Sequence, residues 1–146
     1  MRPETIREIE FRGREKRHDG TYGPWIYGGY SHADMWPEII DYGGIEQGVE
    51  PETVGQWTGL LDKGFHRVYE GDVVDTMWDV SKDYHHIGVV KYSHECALFG
   101  VVDSRGEGLS FEHLRSGLCT IIGDVFDSPE LREIYGKYYF KDNVNK

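Results

Sequence analysis

Polar and apolar residues alternate through Glu8, Ile9, Glu10, Phe11 and Arg12, the period-two pattern of a strand with one face on a core. A turn-rich segment from His18 to Pro24 follows, and Trp25-Ile26-Tyr27-Gly28-Gly29-Tyr30 resumes a β-prone aromatic pattern, which predicts an antiparallel hairpin. Residues 31–48 keep neither the helical nor the strand period and predict a long connection with one short strand. Pro51 to Leu60 is β-rich and bounded by glycine, Asp62-Lys63-Gly64 reads as a turn, and a further strand is expected from Arg67 to Val74. After a polar segment the β-branched runs Ile87–Tyr92 and Cys96–Val102 predict two more strands, and Leu118 to Phe126 another. The chain then changes character. Ser128-Pro129-Glu130 supplies a capping hydroxyl, a first-turn proline and an acidic residue, so a short helix is expected to about Tyr135, with Gly136 placed to stop it. The tail from Lys141 to Lys146 lacks apolar periodicity.

Composition sharpens this picture of many short strands. The 146 residues include 10 Tyr, 4 Trp and 6 Phe, so large rings must supply much of the buried area, and 19 glycines demand many sharp turns. One cooperative unit is the default at this length. The formal net charge of -10 repels phosphate backbones and lowers the expectation of nucleic-acid binding. It is unevenly spread. Residues 1–18 hold six basic and four acidic side chains, a balance of +2 that leaves -12 on the rest. No apolar run approaches the roughly 20 residues needed to cross a bilayer, and Met1 leads into charged residues, so a soluble, cytoplasmic protein is expected. Cys96 and Cys119 form no CxxC pair and are expected as reduced core thiols.

Candidate chemistry is sparse. Asp62, Glu70 and Asp72 are close in sequence and could bind a hard cation or act as an acid and base pair. Asp62 fits a hairpin turn and Asp72 a carboxylate that accepts turn amides, and these structural roles are the stronger reading. Adjacent His85 and His86 point to opposite faces of an extended chain; His94 and Cys96, two apart, are the least implausible metal pair. There is no HExxH, CxxC, GxSxG elbow, Walker loop or Rossmann fingerprint. No metal or cofactor is expected. Trp25, Tyr27, Trp57, Tyr69 and Tyr92 could form a stacking platform for single-stranded nucleic acid or a peptide groove, but a core or subunit-interface role is favoured because stacking platforms sit in positive potential.

Four blocks, in order, carry a resemblance. They are IEFR at Ile9 to Arg12 with WIYG at Trp25 to Gly28; PETVGQWTGLLDKG from Pro51 to Gly64 with VYEGDVV from Val68 to Val74; GVVKY from Gly88 to Tyr92; and IIGDVFDSPEL from Ile121 to Leu131. In these the chain resembles the YopX-like proteins of bacteriophages and prophages. Gly13-Arg14 departs from the pattern, in which a small residue and tryptophan often follow FR, and Asp124 stands where asparagine is common. The resemblance implies a compact, mainly β protein with a minor α part. An N-terminal β subdomain, 1–60, would pack on a small SH3-like barrel, 61–127, followed by a short helix, 128–136, within one domain spanning 1–146. VYEGDVV, a loop and GVVKY would be the barrel's first two strands, with Gly71 at a bend and Tyr69, Val73 and Val89 facing inward. One short, sharply bent sheet would close around Val54, Tyr69, Val73 and Val89. The family has no agreed enzymatic activity, so no catalytic residue transfers.

The expected function is a non-catalytic phage accessory protein in the cytoplasm of a bacterial host. It would bind protein, including copies of itself, through an aromatic and acidic surface of Trp25, Tyr27, Trp57, Asp62, Glu70, Asp72 and Tyr92. The alternatives are a nucleic-acid-binding small barrel and, third, a metal-dependent enzyme using the three carboxylates.

Overall fold

The computed structural model describes residues 7–32, 35–76, 86–109 and 117–140. Of the expectations above, those on residues 1–6, on His85, on most of the polar segment 75–83 and on the tail lie outside these residues. The chain divides into two compact units, residues 1–59 and 60–146.

The first unit is an antiparallel sheet built from β1 (Phe11–Lys16), β2 (Tyr22–Ser31), β3 (Glu38–Asp41), β4 (Glu46–Gly48) and the start of β5 (Gly55–Leu61), in the order β4-β3-β2-β1-β5. The expected hairpin is there, with Phe11 opposite Gly28, Arg12 opposite Tyr27 and Arg14 opposite Trp25. Segment 31–48 holds two strands where one was expected. Their apolar signal is reduced to Ile39 and Ile40, because a four-residue and a three-residue strand show almost no period. Alternation puts Phe11, Ile26 and Ile39 on one face, where they meet Val49 and Val54 in a small core. A 3-10 turn at Pro51–Thr53 closes this unit: the buried Thr53 hydroxyl accepts from Arg14 N at 2.8 Å and donates to Glu50 O at 2.6 Å. Gly28 is fixed by its neighbour strand, since a Cβ there would lie 1.9 Å from Ile40 O.

In the second unit β5 ends at Leu60 and Leu61, and β6 (Arg67–Tyr69) pairs beside it. The remaining strands are β7 (Asp72–Asp75), β8 (Ile87–Ser93), β9 (Leu98–Val102), β10 (Gly108–Leu109) and β11 (Thr120–Asp124), antiparallel in the order β10-β9-β8-β7-β11. The single strand expected from Arg67 to Val74 is therefore two, broken at Gly71, whose φ of 91° lies in the left-handed region that favours glycine. Val68, Val74, Val90, Val101 and Cys119 form the core on one side of this sheet, with Leu60, Phe99 and Ile121 against them. On the other side Val73 and Val89 are opposite one another and fully buried, and Val73 also faces Gly123, over which Leu131 of the helix packs. Tyr69, Val73 and Val89 are buried as expected, but the four residues do not share one sheet: Val73 and Val89 lie in the five-stranded sheet, Tyr69 lies in β6, which pairs beside β5, and Val54 packs in the first unit's core.

The SH3-like barrel expectation gives way to two antiparallel sheets with no closed barrel. Closure would need β10 and β11 to pair, yet they end the five-stranded sheet on opposite sides. Outside β11 the groups are taken by the β5–β6 connection: Lys63 N donates to Cys119 O at 2.8 Å, and Ile121 N to Asp62 Oδ2 at 3.3 Å. The helix α1 (Pro129–Tyr139) begins as expected, with Ser128 Oγ accepting from Leu131 N. It does not stop at Gly136. A mid-helix glycine costs about 1 kcal/mol, which is outweighed by seating Tyr139 and Phe140 against Phe126, at ring centroid distances of 5.7 and 5.9 Å. Lys91 Nζ donates to Tyr138 O at 2.5 Å, placing a cation at the helix's negative end.

Gly28→Ala is expected to destabilise the first unit by about 3 kcal/mol or to prevent its folding, because backbone must move to admit the methyl group. Urea denaturation followed by tryptophan fluorescence measures this directly.

Candidate functional site

One local device recurs three times, at Asp41–Ile45, Asp62–His66 and Asp103–Glu107. In each, the aspartate side chain accepts from the amides two and four residues ahead. These are Gly43 and Ile45 for Asp41, Gly64 and His66 for Asp62, and Arg105 and Glu107 for Asp103, all at 2.8–3.0 Å. The main chain closes the same loop, with the aspartate amide donating to the fifth residue's carbonyl and the fourth residue's amide donating back to the aspartate carbonyl. The fourth residue lies in the left-handed region each time: Gly44 at φ 82°, Phe65 at 66° and Gly106 at 82°.

These bonds govern the carboxylates. Burial pushes Asp62 up, but the amides of His66, Ile121 and Gly64 and the His66 imidazole outweigh it and hold the carboxyl below its ordinary range. Burial likewise raises Asp103, and the amides of Glu107 and Arg105 with the Arg105 charge bring it below the ordinary value. At Asp41 the Ile45 amide, followed by the Gln47 side chain, lowers the carboxyl. Asp62 is thus an ionised hydrogen-bond acceptor and a poor proton donor.

Of the other candidate carboxylates, Asp72 is buried and its Oδ2 accepts from Tyr69 N at 2.8 Å, bracing the bend at Gly71. Glu70 is half-buried within that bend. Asp62 and Asp72 therefore brace different turns. Among the described residues no three His, Cys, Asp or Glu side chains gather in a group that could hold a metal. His66 Nδ1 lies 3.1 Å from Asp62 Oδ1. His94 packs edge-on to Tyr92 at 5.3 Å, in the turn that also exposes Cys96, which is accordingly not a core thiol. Cys119 is buried, and that burial, with the charge of Asp62, raises its thiol to about 11. A thiol so raised stays protonated and is a weak nucleophile.

The aromatic candidates divide between the two units. Pairing and alternation place Trp25, Tyr27 and Trp57 on one face of the first sheet, opposite the Phe11–Ile26 core, together with Arg12 and Arg14. The Arg12 and Arg14 guanidinium carbons stand 4.0 and 4.5 Å from the Trp25 ring centroid, and Lys16 Nζ lies 3.4 Å from that of Trp36. Tyr92 belongs to the second unit, where it packs on Phe99 at 5.2 Å, and Tyr69 is buried there. Sequence reading missed Phe65, which is 82% exposed at its left-handed position. The detectable signal was an aspartate three residues before the position that glycine fills in the two sister turns.

Asp62→Ala is expected to cost about 3 kcal/mol at neutral pH, by removing several charge-assisted bonds and leaving the Ile121 and His66 amides without their acceptor. The folded carboxyl sits below the unfolded value, near 3.9, so its stabilisation is complete above that pH and fades as pH falls through the lower folded value. Urea denaturation of both proteins at neutral and acidic pH should show the gap between them narrowing in acid.

No curated protein matches the chain. The sequence model of the YopX protein family matches residues 14–133. That span contains all three aspartate turns and every strand from β2 onward, and the chain belongs to the YopX family.

Proposed function

We propose that this chain is a non-catalytic binding module that recognises protein and assembles with copies of itself, serving phages and prophages in the cytoplasm of a bacterial host. One observation carries the reading: large apolar side chains stand at the surface of both units. In the first, Tyr42 is 76% and Ile45 61% exposed; in the second Phe65, Leu118, Ile122 and Ile134 are exposed. Apolar surface gathered in patches marks protein interfaces, and aromatic groups such as Tyr42 and Phe65 are enriched in them. The candidate carboxylates Asp62 and Asp72 are engaged in turns and the Cys119 thiol is buried, which favours a binding role over the metal-dependent enzyme.

A second reading, nucleic-acid binding, has support in the row Arg12, Arg14 and Lys16 beside Trp25 and Trp36. The net charge of -10 opposes it, and the chain's own cations already lie over the two indole rings that a base would use.

Light scattering over a dilution series should give a mass above the single-chain 16.9 kDa at high concentration and approach that value on dilution. A constant single-chain mass would remove self-assembly. A fluorescence-anisotropy titration with labelled single-stranded DNA at low salt is expected to show no binding, and a saturable, salt-sensitive signal would reverse the ranking of the two readings.

A further inference from the structure

We infer that Phe65, at the tip of the β5–β6 turn, is a self-association anchor that seats on the Ile122, Leu131 and Ile134 patch of a second copy of this chain. This rests on the self-assembly reading and assigns its contact. Phe65 carries two costs at once. Its φ of 66° puts a bulky side chain in the left-handed region, where the equivalent residues Gly44 and Gly106 carry no Cβ and a side chain is strained. Its ring is also 82% exposed to water. Backbone strain and an exposed aromatic at a single residue point to a contact made outside the chain.

The tip is prepared for such a contact. Asp62 pins both sides of the turn through Gly64 N and His66 N, and the turn's base is tied to the segment before β11 by Gly117 N to Leu61 O at 2.7 Å and Lys63 N to Cys119 O at 2.8 Å. A fixed anchor loses little entropy on binding. Exposed Lys63 stands two residues before Phe65 in the chain and gives the apolar tip a basic margin.

The complement lies on the same unit. The helix α1 packs on β11 with Leu131 against Gly123; Ile122, next to Gly123 in the chain at the bulge of β11, is 46% exposed, and Ile134, three residues after Leu131 on the helix, is 43% exposed. Exposed Asp127, Glu130 and Glu133 neighbour these residues in the chain, while the two cations of the helix are drawn to rings, Arg132 at 4.9 Å from the Phe140 centroid and Lys137 at 5.2 Å from that of Tyr138. An apolar centre with an acidic rim matches an apolar tip with a basic margin. Because tip and patch belong to one unit, two copies can exchange them mutually, which closes the assembly at a dimer with two equal contacts.

Sedimentation velocity of the full chain across the micromolar range, with circular dichroism as the folding control, tests this. Wild type is expected to dimerise. Phe65→Gly and Ile134→Glu should each weaken association by roughly tenfold or more, and Phe65→Gly should raise the melting temperature of the dilute monomer because the backbone strain is relieved. An equimolar mixture of the two variants keeps one intact contact, the Phe65 of one on the patch of the other, and should associate more tightly than either variant alone. If Phe65→Gly dimerises like wild type, or the mixture gains nothing over the separate variants, the anchor is overturned while self-assembly stands. A wild type that stays monomeric at every concentration overturns both.

Discussion

A carboxylate that gathers the amides two and four residues ahead of it is the interaction on which the second unit depends most, and Asp62 is its fullest instance. The group is 4% exposed and accepts from Gly64, His66 and Ile121, with the His66 ring beside it. It therefore closes the turn after β5 and also supplies an acceptor to β11, a strand at the edge of its sheet. An edge strand without such a partner is an open template for another chain. The same bonds let the sheet stop without closing into a barrel. One buried charge, which alone would be costly, here acts as a clasp because amide dipoles surround it.

This chemistry changes what the chain's acidity means. Asp41, Asp62 and Asp103 are counted in the formal charge of -10, but each is held by backbone amides, and all three are lowered as acids by those bonds. Part of the acidity is thus a folding device. Exposed carboxylates stand elsewhere, Glu130 and Glu133 among them in the first turns of α1. Cations are treated in a similar way. Arg12 and Arg14 lie over the Trp25 ring and Lys16 over that of Trp36, so the part of the basic stretch that carries these three cations is strand β1 and not a charged arm.

The mainly β class, the first hairpin, the turn at Asp62, the brace at Asp72 and the cap at Ser128 were legible because each depends on a few adjacent residues. What escaped sequence reading depended on contacts between distant ones. The helix runs past Gly136 because Phe126, ten residues earlier, offers a ring surface to Tyr139 and Phe140. Strands β3 and β4 hold seven residues between them and owe their existence to pairing, β3 with β2 and β4 with β3, which no local period encodes. The proposed surface set divides for the same reason: alternation along β1, β2 and β5 puts Trp25, Tyr27 and Trp57 on one face, while Tyr92 packs in another unit.

Phe65 shows how a structural device can become a point of contact without changing its geometry. Its turn has the same hydrogen bonds as the Asp41 and Asp103 turns, so the aspartate and the amides already determine the backbone. Glycine at the left-handed position leaves such a turn inert. A phenylalanine there adds strain, yet the closing bonds hold the conformation, and the ring is presented at a tip it cannot retreat from into its own core. The strength of the turn is therefore what makes an exposed aromatic tolerable, and the features that stabilise the unit are the same ones that could fix the geometry of its interface.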